Sequence, residues 1–119
     1  MSILAMIVVG LVAVMHIGFL WLEMFAWTTR GPKVFTILPK DMFEPTKVLA
    51  ANQGLYNGFL AAGLIWSLFI SDGEWQRNVA LCFLIFVAVA GIYGAATASK
   101  KIFFVQALPA LIGIVLVSI

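Results

Sequence analysis

Glu23 is the one acidic side chain inside the long apolar stretches of this 119-residue sequence, and His16, seven positions earlier, is its one histidine. That spacing puts both on one face of a helix. A carboxyl and an imidazole so placed can hold or pass a proton, or bind the polar head of a ligand. The sequence gathers further hydrogen-bonding groups at Asn52, Gln53, Tyr56 and Asn57, and adds Tyr93 and Gln106 later. These eight residues are the candidate ligand-binding set. No nucleophile with an adjacent base and no cofactor loop accompanies them, so whether catalysis occurs stays open. A metal is not expected, because a second imidazole or a thiolate is missing and Cys82 lies in the apolar run Leu81 to Ala90, toward the opposite membrane face. No cofactor is expected either.

Each candidate also has a plainer account. Glu23 can reach interfacial water or pair with Arg30, one heptad on, and this stands level with the binding role. For His16 the plainer account is preferred: a neutral imidazole satisfied by Asn57 or a backbone carbonyl. The amides can serve helix packing alone, although so many of them together with an acid exceed what packing requires.

The elements that position these residues follow from composition. Hydrophobic residues make up 64% of the chain, charged residues 10%, and mean hydropathy is +1.13. A soluble domain carries roughly 25% charged residues. A water-soluble globule is therefore excluded, and a net charge of +2 without a basic stripe argues against nucleic-acid binding. Since a bilayer core of about 30 Å takes roughly 20 apolar residues, spans are expected at Ile3 to Trp27, Val48 to Ile70, Val79 to Ala98 and Ile102 to Ile119. Glu23 does not prevent insertion of the first, because Ile3 to Leu22 holds twelve Ile, Leu, Val or Phe residues.

Between the first two spans, residues 28–47 contain Pro32, Pro39 and Pro45, which forbid a long helix, and Val34, Phe35, Ile37, Leu38, Met42 and Phe43, which favour an interfacial anchor. Ser71 to Asn78 reads as a tight Asp72-Gly73 turn carrying an interfacial Trp75. Short connections make successive helices antiparallel neighbours. The expected fold is thus all-α: one polytopic domain over residues 1–119, an antiparallel bundle of four transmembrane helices. Arg30, Lys33, Lys40, Lys47, Lys100 and Lys101 fall on one side and only Arg77 on the other, which puts both termini outside.

At about 1.5 Å per residue, Glu23, Asn52, Gln53, Tyr93 and Gln106 are expected in one layer near the cytoplasmic side, with His16, Asn57 and Tyr56 roughly two turns deeper. Gly54-xxx-Gly58-xxx-Ala62, Ala90-xxx-Gly94-xxx-Ala98 and Gly91-xxx-Ala95 form small-residue stripes that let backbones approach, within the bundle or between copies, so a homo-oligomer is expected. Pro109 frees the Val105 carbonyl and can bend the last helix.

His16, the run from Leu22 to Trp27, the run from Lys47 to Gly63, and Gln106 with Pro109-Ala110 are together similar to an uncharacterised bacterial integral-membrane family, number 1304 of the domain-of-unknown-function series. The likeness spans essentially the whole chain and implies a multi-pass protein of the bacterial cytoplasmic (inner) membrane. Ala51-Asn52-Gln53, followed by an aromatic residue and Phe59-Leu60-Ala61, more distantly resembles the second helix of the membrane-associated eicosanoid and glutathione metabolism proteins. Those are trimers of four-helix chains, and the resemblance implies an amphiphile site between subunits. Members that bind glutathione use arginines within the bundle, and no span here contains one. The expected function is binding of a small amphipathic or lipidic molecule in a cytoplasm-facing polar pocket, with membrane lipids as the surroundings. The alternatives are a proton-coupled exporter resembling the small multidrug exporters, which carry one glutamate in the first span, and an accessory subunit without its own site.

Overall fold

The computed structural model describes residues 1–119 and contains helices and no strands. Helix α1 spans Ile3–Phe25, α2 Gly31–Val34, α3 Lys47–Leu68, α4 Gly73–Thr97 and α5 Leu108–Ser118. A single 3-10 turn, Lys40–Met42, lies between α2 and α3, and a π turn, Phe103–Ala107, runs directly into α5. Two helices, α1 and α4, are long and apolar enough to cross a membrane, with mean hydropathies of 2.7 and 2.5 in their most apolar windows. Phe103–Ser118 is apolar but shorter.

Local signals account for the helix ends. The Ser2 hydroxyl accepts the Ala5 N–H at 3.1 Å and opens α1. Where α1 stops, the Arg30 and Gly31 N–H groups both turn back to the Ala26 carbonyl. One boundary differs from the sequence expectation: α4 begins at Gly73, so most of the stretch expected as a turn is helical. Asp72 causes this, since its carboxylate accepts the Trp75 N–H at 3.0 Å. Glu74 in the first turn adds a favourable charge at the helix N-terminus. Hydropathy does not register a helical turn built from polar residues.

The chain divides into two compact units, Met1–Val14 with Leu60–Ile119, and Met15–Phe59. The first holds an aliphatic core of Val9, Val12, Leu64, Leu84, Val87, Ala110 and Val117 with smaller alanines. Close packing here depends on small residues: a Cβ on Gly91 would lie 2.6 Å from the Ala107 nitrogen, so α4 meets the π turn backbone to backbone. The π turn itself precedes Pro109, whose missing N–H interrupts the ordinary helical ladder, and the Leu108 N–H bonds to the Phe103 carbonyl instead.

The second unit joins the end of α1 to the start of α3. Its anchor is Phe43, only 1% exposed, with the Trp27 ring centroid 4.9 Å away. The Trp27 indole N–H donates to the Thr46 hydroxyl at 3.0 Å, and that hydroxyl donates to the Met42 carbonyl at 2.7 Å. Gly31 is buried beneath Phe43, where an added Cβ would come within 2.8 Å of the ring. The proline-rich connection is therefore a folded piece with its own small core.

Candidate functional site

Within the second unit, α1 and α3 run antiparallel: Gly54 faces Glu23 and Met24, and Gly58, one turn further along, faces Leu20. Glycine is required at position 54 by the approach itself. A Cβ there would sit 2.8 Å from Met24 Cγ, 3.0 Å from Glu23 Cβ and 3.1 Å from the Leu20 carbonyl oxygen. With the helices this close, the half-buried Asn57 amide donates to Glu23 Oε1 at 2.6 Å. The other carboxyl oxygen has no hydrogen-bonding partner in the chain. Every sealed side-chain nitrogen and oxygen of the protein does have one, so this oxygen is not sealed from its surroundings.

Side-chain direction explains why the pairing joins Glu23 to Asn57 and not to Asn52 or Gln53. In an α-helix each Cα–Cβ bond tilts toward the N-terminus. On α1 this aims the Glu23 carboxyl back toward Leu20, and on the antiparallel α3 it aims Asn57 back toward Gly54, so the two side chains meet between those levels. Counting residues from the expected span ends puts Asn57 level with His16; in the structure its neighbour Gly58 lies against Leu20, so the register sets Asn57 about one turn nearer Glu23.

The other candidates are placed as follows. His16 is fully buried and meets Phe19 edge-on at 5.0 Å. Asn52 is exposed, and its amide donates to the Val48 carbonyl of its own helix at 3.0 Å. Gln53 is exposed too, and Tyr56 is 60% exposed with its ring beside Phe59. In the first unit, Tyr93 is 70% exposed on α4 and Gln106 is half-buried in the π turn. Glu23 and Asn57 are thus the candidates brought into side-chain contact with each other, while Asn52, Gln53 and Tyr56 point away from α1. The supporting parts that sequence reasoning left out are Trp27 and Thr46, whose hydrogen bond pins the connection above the site. An indole donor near a proline-bounded threonine is a weak signal, and only the fold makes it specific.

Chemically, a carboxyl with one oxygen held by an amide and the other open is oriented to accept a hydrogen bond or a positive charge from a ligand. The model of the family described as protein of unknown function (DUF1304) matches residues 10–118. The uncharacterised protein YpaA of Lactococcus lactis subsp. lactis (strain IL1403) is 33% identical over 108 residues, which is 89% of each chain. No solved structure matches.

Proposed function

We propose that this chain, which belongs to the DUF1304 family of proteins of unknown function, is a multi-pass protein of the bacterial cytoplasmic membrane that binds a small amphipathic molecule at Glu23. In this reading α1, α3, α4 and the Phe103–Ser118 segment are four spans, with both termini outside and the lysine-bearing connections in the cytoplasm. At 22 residues α3 is long enough, about 33 Å at 1.5 Å per residue, although it is less apolar than α1 and α4. Only 28% and 33% of the most apolar windows of α1 and α4 are buried within the chain, so their remaining apolar faces need a lipid or protein cover. A homo-oligomer would supply part of it.

The observation that carries the binding site is the Glu23–Asn57 contact at 2.6 Å, with the second carboxyl oxygen unpartnered. A carboxyl inside a membrane span costs insertion energy, about 2.5–3.5 kcal/mol for an acidic side chain at the helix centre, and that cost is ordinarily offset by a partner or a function. Here the partner is half-satisfying. The remaining oxygen selects a head group that donates hydrogen bonds or carries positive charge, on an apolar tail that shares the membrane with α1 and α3. Asn52, Gln53 and Tyr56 lie on the outward side of α3 and His16 lies two turns below Glu23, so the centre of the site is Glu23 with Asn57.

Titration of the purified protein with dodecylammonium, which has donors, and dodecyltrimethylammonium, which has none, tests this through quenching of tryptophan fluorescence. The expected result is tighter binding of dodecylammonium, lost in Glu23→Ala. Equal binding of the two amphiphiles by the parent and the variant would overturn the proposal. If Glu23→Gln abolished proton-coupled efflux from vesicles, the exporter reading would replace simple binding.

A further inference from the structure

Residues 28–47 contain four basic and two acidic side chains, all exposed: Arg30, Lys33, Lys40 and Lys47 against Asp41 and Glu44. Lys47 and Glu44 neutralise each other in an ion pair at 2.6 Å. No carboxylate pairs with Arg30, Lys33 or Lys40, so the segment shows an uncompensated positive surface with Asp41 as its one remaining negative group. Arg30 is held in place, its guanidinium lying 5.9 Å from the Trp21 ring centroid.

Large apolar side chains are interleaved with these charges. Val34, Phe35 and Met42 are exposed, and Ile37 is 77% exposed. They do not belong to an unfolded loop. The Trp27–Phe43–Thr46 core fixes the segment from behind, and the Phe35 ring itself leans on Trp27 at 5.4 Å. A folded piece of chain that buries Phe43 and holds out Val34, Ile37 and Met42, flanked by unpaired lysines, has the two signals that surface attachment to a membrane requires: apolar area for the acyl boundary and positive charge for the head groups.

We propose that residues 30–42 bind the phosphate head groups of anionic phospholipids in the cytoplasmic leaflet, with Ile37 inserted below the head groups and Lys33 and Lys40 contacting phosphate. The occupant is a lipid surface and not a protein, because charge complementarity is to a negative layer and the apolar residues are spread along the segment without forming a groove. This rests on the membrane reading above. It does not depend on a ligand at Glu23.

The test places a fluorophore at Ile37→Cys in a Cys82→Ser chain, reconstituted in mixed phosphatidylglycerol–phosphatidylcholine vesicles in which one or the other lipid is brominated. Phosphatidylglycerol is expected to quench at several-fold lower mole fraction, since each lysine near an anionic surface contributes about fivefold. Lys33→Gln with Lys40→Gln should bring the two lipids to near equality, as should 0.5 M salt, used here as roughly five times the ionic strength that already screens beyond about 10 Å. Equal quenching by both lipids in the parent, quenching by neither, or a preference untouched by the two substitutions would overturn the proposal. Resistance of the chain to carbonate extraction is read on the same vesicles. Extraction would remove the membrane reading and this proposal together, whereas retention with equal quenching would remove this proposal alone.

Discussion

Replacing Glu23 and Asn57 by alanine, singly and together, gives a coupling energy that reports the one side-chain bond on which the site is built. The bond is short, 2.6 Å, joins a carboxyl to an amide across two helices, and lies half-buried beside the tight Gly54 contact. Hydrogen bonds to charged groups contribute about 1.5–3 kcal/mol in soluble proteins, while interhelical pairs in membranes average about 0.6 and reach about 1.7. The expected coupling is therefore about 1 kcal/mol, and Glu23→Gln, which keeps an acceptor oxygen, should retain much of it. The assay is reversible unfolding of the four proteins in mixed detergent micelles, followed by circular dichroism. Coupling inside the roughly 0.3–0.5 kcal/mol scatter of independent sites would refute the pairing.

Further outcomes follow from the same contacts. Gly91→Ala should destabilise by about 2 kcal/mol, because its Cβ meets the backbone of Ala107 at 2.6 Å and neither side can rotate away. Gly54→Ala should cost about 0–2 kcal/mol net, overpacking being partly offset by helix propensity. Gly18→Ala, with nothing within 4 Å, should leave stability unchanged or slightly raised; thermal unfolding of the three variants checks this order. Asp72→Ala removes the cap of α4 and should cost about 1 kcal/mol, read in the same measurement. Trp27→Phe loses the bond to Thr46 while keeping the ring on Phe43, and faster tryptic cleavage at Lys33 and Lys40 is the expected sign of a loosened connection.

Much of the path of the chain could be read from residue order, because lipid-length apolar runs and proline-bounded breaks are signals of composition. Lys47 and Leu68 bound α3 within two residues of the expected span for that reason. The start of α4 was not legible in hydropathy, since a capping aspartate works through geometry and not through apolarity. The site was legible as a group of residues but not as a face. Asn52, Gln53, Tyr56 and Asn57 are spread around so much of the α3 circumference that their types alone do not say which one turns toward α1. Gly54 and Gly58 decide it: α1 packs where α3 has no side chains, and of the four only Asn57 borders that groove on the side of the Glu23 carboxyl. The π turn had a partial signal in Pro109, which predicts a lost bond but not how the backbone closes the gap.

The central claim is that an amphiphile with a donor head group docks on the open oxygen of Glu23 between the ends of α1 and α3. Photolabelling with a dodecylamine that carries a diazirine near its amine, followed by mass spectrometric mapping, tests it most directly. The account predicts label concentrated on residues 19–27 and 50–59, competed by dodecylammonium and lost in Glu23→Ala. Label distributed over the exposed apolar faces of α4 and α5, indifferent to that substitution, would contradict it.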